Sequence, residues 1–188
     1  FPQARLNFAE NLLRDCGNPE ALVFWGEDKV TRTLSRAELR RQVAQFAAAL
    51  QEVGVGAGDR VAAYLPNLPE TVVAMLATAS LGAVFTSASP DFGVQGVLDR
   101  FGQTGPKALI ACDGYWYSGK AIDLRPKLAE LVPKLPSVRR VVLVPYLRDE
   151  TDGLAATLPK AVSYPRFIAP HAAAARLETA RFPFDHPL

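Results

Sequence analysis

LGAVFTSASPDFGVQGVLDRFGQTGPKALIACDGYWYSGK, residues 81–120, alternates strand and helix patterns and places a glycine-bearing polar turn after each strand. Residues 84–87 and 108–112 are short apolar runs that predict strands, and residues 95–103 predict a helix between them. Ligands of open parallel sheets bind at the carboxyl ends of the strands. We therefore expect any functional site to lie at the two turns of this stretch.

The same alternation continues on both sides of residues 81–120. Strands are predicted at 61–65 and 141–144, and helices at 36–53, 69–81 and 124–135. This order is typical of right-handed βαβ units. The predicted fold class is α/β, with a mostly parallel sheet, helices on both faces and residues 141–144 as its last clear strand. Ahead of the sheet we expect a helix at 5–14 and a β-hairpin formed by 21–25 and 29–34.

Local capping signals support the predicted helix starts. Ser35 followed by Glu38 is a capping box, and Asn67 followed by Glu70 repeats that signature around Pro69. The glycine-rich segment 54–59 follows a helix and precedes a strand. A phosphate-binding loop has the opposite order. We interpret this segment as a helix-to-strand turn.

The organisation of the chain changes near residue 145. Residues 1–145 carry the βαβ pattern, whereas residues 146–188 are rich in proline and alanine and are predicted to be irregular. The chain begins at Phe1 and its only methionine is Met75. We therefore expect a piece of a longer polypeptide, with an incomplete fold.

Composition excludes several classes of function. The chain has 188 residues, is 49% hydrophobic and carries a formal net charge of +2, which argues against a nucleic-acid or membrane partner. No apolar run approaches the roughly 20 residues that cross a bilayer. Cys16 and Cys112 lack metal or redox spacing and predict reduced thiols in a cytoplasmic protein.

The first candidate turn is SPDFG, residues 89–93, which leads into the helix at 95–103. The free amides at the start of that helix could attract an anion. Asp91 could equally be the N-cap of the same helix. Spacing favours the capping role, and the two roles do not exclude each other.

The second candidate turn is DGYWYSGK, residues 113–120, which we expect to be a single exposed turn after a strand. Its aromatic rings could stack on a purine, and Lys120 with the amide of Gly119 could hold a phosphate. The aromatic residues could instead anchor the loop on the core. His171 and His186 have no metal-ligand spacing and are expected to be ordinary surface histidines, so no metal site and no catalytic group are predicted.

Several segments together resemble the amino-terminal part of acetoacetyl-CoA synthetases, which belong to the adenylate-forming acyl-CoA synthetase superfamily. These segments are FPQARLNFAENLL (1–13), AYLPNLPETVVAMLATASLGA (63–83), SPDFG, FGQTGPK and DGYWYSGK. The likeness is strongest in residues 1–14 and 59–125 and weak after about 146. SPDFG and YSGK favour the acetoacetate branch, because acetate-activating relatives carry Phe-Gly-Gly-Phe-Ser and Arg-Ala-Gly-Arg at these turns.

The resemblance implies a two-step ligase reaction in lipid metabolism. The carboxylate attacks the α-phosphate of Mg²⁺-bound ATP to give an acyl-adenylate and pyrophosphate, and the thiol of coenzyme A then displaces AMP. The implied partners are these small molecules and the remainder of the same polypeptide. The resemblance further implies that residues 182–188 directly precede the loop that holds the ATP phosphates, so this piece alone should be inactive.

The resemblance also assigns binding residues. The Arg-Ala-Gly-Arg turn that touches the phosphorylated adenosine end of coenzyme A corresponds here to Tyr117, Ser118, Gly119 and Lys120. Lys120 keeps a positive charge without the fork of arginine, and Tyr117 keeps none. Ser89, Pro90 and Asp91 correspond to the turn near the coenzyme A adenine, although a carboxylate there would repel phosphate. Two alternatives remain: a synthetase for another short acid, and a stand-alone α/β binding domain.

Overall fold

In the computed structural model, which describes residues 1, 3–14, 17–174 and 176–188, strands and helices alternate along most of the chain. The strands are β1 (Arg5–Leu6), β2 (Glu20–Gly26), β3 (Val30–Ser35), β4 (Arg60–Tyr64), β5 (Val84–Ala88), β6 (Ala108–Cys112), β7 (Gly114–Tyr117), β8 (Lys120–Asp123), β9 (Arg140–Val144), β10 (Ala161–Ser163) and β11 (Phe182–Pro183). The helices are α1 (Phe8–Leu12), α2 (Arg36–Glu52), α3 (Pro69–Ser80), α4 (Val94–Thr104), α5 (Arg125–Leu131), α6 (Asp152–Thr157) and α7 (Tyr164–Ile168).

The central sheet has five parallel strands in the order β10-β9-β6-β4-β5. The chain runs from β4 to the edge at β5, returns past β4 to β6, and then continues outward to β9 and β10. Parallel crossovers are right-handed, so this reversal sends the helices to opposite faces. Accordingly, α3 packs beside α2 and α4 packs beside α5. The predicted α/β fold, with a parallel sheet and helices on both faces, is confirmed.

The middle strands are buried on both faces. All five residues of β6 are buried, which explains why its sequence is a continuous apolar run rather than an alternating one. On the α2 face, the ring of Phe46 stacks on Tyr164 with 5.5 Å between centroids and contacts Phe167 edge-on at 5.3 Å. The sheet and the two helix layers therefore share one core.

Helix starts follow the sequence signals in one case and depart from them in another. At α2, the Glu38 amide donates to Ser35 Oγ and the Ser35 amide donates to Glu38 Oε2 at 2.8 Å, so the capping box is confirmed. At α3, the expectation for Asn67 is wrong, because Leu68 is the N-cap and its side chain makes no capping bond. Glu70 instead accepts two hydrogen bonds from Arg32 at 2.7 and 2.8 Å.

The segment expected to be a helix at 5–14 is divided between a strand and a shorter helix. Arg5 and Leu6 pair antiparallel with Pro183 and Phe182, and the Asn7 side chain accepts from the Glu10 amide to start α1. The helix expectation is wrong for the first residues because their strand partner lies far along the chain. Position 15 and Cys16 lie outside the described residues.

The sheet does not end at β9 as expected. Residues 161–163 form β10, which pairs in parallel with residues 141–143 of β9, and α6 connects the two strands. Part of the 146–188 segment is therefore regular, and a three-residue strand is too short to show a period in the sequence. The division of the chain into two parts at residue 145 stays a prediction. The central sheet contains strands from both sides of that boundary.

The glycine-rich segment 54–59 connects α2 to β4, which confirms the helix-to-strand turn. Gly54 follows the helix with a φ of +83°, a conformation that glycine adopts without steric penalty. The Gly56 amide donates to Asp59 Oδ2 at 2.9 Å, and Lys107 forms an ion pair with the same oxygen at 2.6 Å. The polar groups of this turn are thus engaged in hydrogen bonds and an ion pair within the fold.

Candidate functional site

The candidate site is a pocket of about 660 Å³ at the carboxyl ends of β4 and β5. Counted along the chain, the parallel strands have the order 2-1-3-4-5, for which ligands are expected at the switch point between the first and third strands. Here that point lies between β4 and β6. The lining residues come from the segment after β4, from the end of β5 and the turn after it, and from β7: Leu65, Pro66, Asn67, Thr71, Ser87, Ala88, Ser89, Pro90, Asp91, Tyr115, Trp116 and Tyr117.

The first turn of the sequence prediction, residues 89–91, forms one wall of this pocket. Gly93 is the N-cap of α4 and makes no side-chain capping bond, so a capping role for Asp91 is wrong. Asp91 instead lies on the exposed rim beside Ser89, two residues before the helix cap. The turn closes through its own backbone, since the Phe92 amide donates to the Ser89 carbonyl at 3.1 Å.

Two side chains, Tyr64 from the core and Lys127 from α5, bind the backbone of this first turn. The hydroxyl of Tyr64 lies 3.0 Å from the Pro90 carbonyl and 2.7 Å from the Phe92 carbonyl. Lys127 Nζ donates to the same two oxygens at 3.2 and 3.1 Å. Burial raises the pKa of Tyr64 above its usual range, so its hydroxyl stays protonated and remains a donor. The wall is therefore fixed by the protein and does not require a ligand for its shape.

The second turn is the β7–β8 hairpin, which corrects the expectation of a single exposed turn. Tyr117 pairs with Lys120, and the two residues between them, Ser118 and Gly119, have φ values of +50° and +73°. Positive φ at both central positions is the geometry of a type I′ turn. Asp113, placed in the exposed turn by the sequence prediction, is only 1% exposed.

The structure brings together some of the predicted binding residues and leaves others outside the pocket. Tyr117, which is 68% exposed, lines the pocket opposite the first turn. Ser118, Gly119 and Lys120 do not line it. Directly opposite residues of an antiparallel pair project to the same face of the ribbon, which places Lys120 on the face of Tyr117. Lys120 thus shares the hairpin face of Tyr117 but lies outside the pocket lining.

The charge of the pocket differs from that of a phosphate site. None of its lining residues is a lysine or arginine, and Asp91 is the charged member of the set. Aromatic rings and apolar side chains form most of the remaining surface. The pocket therefore suits an uncharged planar group, whereas a phosphate would have to lie outside it, on the side of Lys120.

The tip of the β2–β3 hairpin contacts the β7–β8 turn. Glu27 Oε2 accepts a hydrogen bond from the Gly119 amide at 2.8 Å, although the two residues are 92 positions apart. Lys29 Nζ lies 5.8 Å from the ring centroid of Trp116. The amide expected to bind a ligand phosphate is therefore already paired with a carboxylate. Sequence spacing carries no signal for a contact of this range.

Asp113 is a buried structural residue that the sequence prediction placed in an exposed turn. Its Oδ1 accepts from the amides of Tyr146 and Leu147 at 2.9 and 3.0 Å, and its Oδ2 lies 3.2 Å from Arg148 Nη1. These bonds tie the end of β6 to the chain that leaves β9. The signal in the sequence is an aspartate directly after a fully apolar strand, where a charge needs partners.

The remaining candidates for chemistry are engaged in the fold. Cys112 is buried and unpaired, and burial raises the pKa of its thiol to about 12, so a reactive thiolate is suppressed. His171 lies 2.9 Å from Glu52, and His186 lies 2.8 Å from the Gly82 carbonyl and stacks on Phe182. Both histidines are half-buried, and each has a defined partner within the fold.

The described part of the chain lacks two further features. It contains no cluster of three or more histidine, cysteine, aspartate or glutamate side chains arranged to hold a metal ion. Among the same residues, no helix combines the length and apolar character needed to span a membrane.

The chain, whose parallel α/β sheet carries a pocket at its switch point, belongs to the AMP-binding enzyme family, whose profile matches residues 8–177. Over 188 residues it is 53% identical to acetoacetyl-coenzyme A synthetase of Rhizobium meliloti (strain 1021), and over 193 residues it is 44% identical to acetoacetyl-CoA synthetase of Mus musculus. All of this chain is covered in both comparisons, against 28% and 29% of the relatives.

A solved structure gives the same result at the level of the fold. Acetoacetyl-CoA synthetase from Streptomyces lividans superimposes with a TM-score of 0.88 at 44% identity, covering 99% of this chain and 28% of the other. The resemblance stated from the sequence segments is therefore confirmed. The chain spans little more than a quarter of the length of these relatives.

Proposed function

We propose that the protein containing this chain is an acetoacetyl-CoA synthetase, which joins acetoacetate to coenzyme A with ATP and Mg²⁺. The observation that carries the proposal is identity of 53% and 44% along the whole chain to relatives of that one name. Family membership alone would not identify the carboxylic acid that serves as the substrate. Similarity that extends through both candidate turns and the buried sheet favours this branch.

The proposed reaction has two steps that conserve every atom. An oxygen of the acetoacetate carboxylate attacks the α-phosphorus of ATP, and pyrophosphate leaves. The thiol of coenzyme A then releases its proton to solvent as its sulfur attacks the acyl carbon, and AMP leaves with the oxygen that joined the two. In this scheme the described residues bind and orient coenzyme A, and the groups that activate ATP belong to the part of the relatives beyond this chain.

The pocket supports binding of the adenosine end of coenzyme A. A volume of about 660 Å³ lies within the ordinary range for small-ligand sites, roughly 300 to 1,000 Å³. Tyr115 and Tyr117 offer aromatic surface for a planar base, and the first turn is preformed opposite them. Because no lysine or arginine lines the pocket, we place the adenine inside it and the phosphate at the rim, near Lys120. Ser118 would flank the phosphate, while Ser89, Pro90 and Asp91 would face the base.

The proposal also includes the context of the reaction. A buried unpaired thiol at Cys112 agrees with a reducing compartment such as the cytoplasm. The product would be a thioester for lipid metabolism. The remainder of the polypeptide would supply the ATP site, so the 188-residue chain alone is expected to be inactive.

Pyrophosphate release is the direct test of the proposed function. The full-length protein should release pyrophosphate with acetoacetate and ATP, and should form the thioester when coenzyme A is added. Acetate and propionate serve as competing acids, and the isolated 188-residue chain serves as the inactive control. Faster turnover of acetate or propionate would reassign the acid. Absence of pyrophosphate with every acid would leave a binding domain as the function.

Replacement of Lys120 tests the rim of the site. Lys120→Ala in the full-length protein should weaken coenzyme A binding by about fivefold, the upper end for one exposed ion pair. Lys134→Ala removes the same charge from an exposed position that pairs with Glu130 instead. Isothermal titration should therefore show an unchanged dissociation constant for that control. Equal affinities in both variants would remove Lys120 from the site.

A further inference from the structure

The Gly119 amide is a donor that the protein itself occupies with a negative charge. It sits in the type I′ turn between Tyr117 and Lys120 and points to the carboxylate of Glu27 at 2.8 Å. A backbone amide beside a lysine is an arrangement that binds phosphate oxygens. In this structure a carboxylate oxygen takes the position that a phosphate oxygen would use.

The β7–β8 turn does not need Glu27 for its shape. Four residue pairs from Gly114↔Asp123 to Tyr117↔Lys120 hold the hairpin, and its two-residue turn has the φ values that this length requires. At the base of the hairpin, Asp113 binds the amides of Tyr146 and Leu147. The contact with Glu27 is an addition to a turn that is already determined.

Glu27 itself occupies an unfavourable backbone conformation. Its φ of +54° lies in the left-handed region, which glycine and asparagine adopt readily and glutamate adopts rarely. The turn of the β2–β3 hairpin therefore gives no local reason for a glutamate. Its side chain is exposed, so burial gives none either. The contact that accounts for the side chain is the one to Gly119.

We propose that Glu27 is a built-in competitor for a ligand phosphate at the Gly119 amide. This inference rests on the proposed function, in which a coenzyme A phosphate lies at the rim beside Lys120. A phosphate that binds there must first displace the carboxylate. Glu27 thereby lowers the affinity of this amide for any anionic group, because each such group must displace the same carboxylate.

Two phosphate groups of coenzyme A could face this amide, and the experiment separates them. The variant is Glu27→Gln in the full-length protein, which removes the charge and keeps the size and the acceptor oxygen. The matched control is Glu20→Gln, which removes an exposed charge at the opposite end of β2, the strand that leads into the turn of Glu27. The probes are coenzyme A and dephospho-coenzyme A, which lacks the 3′-phosphate and keeps the diphosphate. Affinity is measured by isothermal titration.

We expect Glu27→Gln to bind coenzyme A about threefold more tightly than the unmodified protein, as for loss of one exposed charge interaction. Glu20→Gln should bind as the unmodified protein does. A gain confined to coenzyme A assigns the 3′-phosphate to the amide, and an equal gain with both probes assigns the diphosphate. Unchanged or weaker binding by Glu27→Gln overturns the competitor role while the proposed function stands. Failure of the unmodified protein to bind coenzyme A overturns both.

Discussion

Replacement of Asp113 by alanine should lower the free energy of unfolding by about 3 to 4 kcal/mol, because it removes the acceptor for two backbone amides and one arginine at once. Asp113 is 1% exposed and takes those bonds from Tyr146, Leu147 and Arg148 at 2.9 to 3.2 Å. Without the carboxylate, the two amides lose their partner at a site that offers little water. The β7–β8 hairpin should loosen with them, so coenzyme A affinity should fall as well.

Urea denaturation followed by circular dichroism measures this effect. Asp113→Asn retains an oxygen for the two amides and loses the charge that faces Arg148, so we expect a smaller loss, about 1 to 2 kcal/mol. Asp149→Ala removes a carboxylate from an exposed neighbour and should change stability by less than about 0.5 kcal/mol. A loss for Asp113→Ala no larger than that of Asp149→Ala would contradict the structural role.

The turn at Gly82 should be the second most sensitive position. Its φ is +67°, and a Cβ built there would overlap the ring of Phe182. Phe182 stacks on His186 at 4.4 Å between centroids, and His186 Nε2 lies 2.8 Å from the Gly82 carbonyl. Gly82→Ala should therefore cost about 3 kcal/mol, of which roughly 1 comes from the left-handed backbone and the remainder from the displaced ring.

A matched glycine separates the two contributions. Gly58 has a φ of +79° with no atom within 4 Å of a built Cβ, so Gly58→Ala should show the backbone contribution alone, about 1 kcal/mol. The double variant Gly82→Ala with Phe182→Ala removes the overlapping ring. Its free energy of unfolding should lie below that of Phe182→Ala by the backbone contribution at most. Equal losses for Gly58→Ala and Gly82→Ala, measured by the same urea titration, would show that the ring moves without cost.

Local signals predicted much of the fold. The capping box at Ser35, the apolar run of β6 and the alternation of strands with helices each depend on residues within a few positions of one another. Such features are formed by short-range hydrogen bonds and by burial of one segment, which the sequence displays directly. The same signals were insufficient at Asn67, because the expected capping partner, Glu70, pairs instead with Arg32 of the β2–β3 hairpin.

The candidate site was predicted in outline and corrected in detail. Both turns lie at the carboxyl edge of the sheet, and Ser89 and Tyr117 meet across one pocket. Lys120 lies outside the pocket lining, and the amide of its neighbour Gly119 donates to Glu27. The roles of Asp113 and Glu27 depend on partners that lie 33 to 92 positions away in the chain. No local sequence pattern therefore predicts these roles.

The amino-acid sequence thus specifies most of the elements, their order along the chain and the turns that line the candidate pocket, because propensity, capping and burial act over a few residues. It leaves open which strands become neighbours. The reversal at β4, the short edge strand β10 and the pairing of β1 with β11 depend on contacts between distant segments. Those contacts form when the whole core packs, and they alone bring the two turns and the tip of the β2–β3 hairpin together.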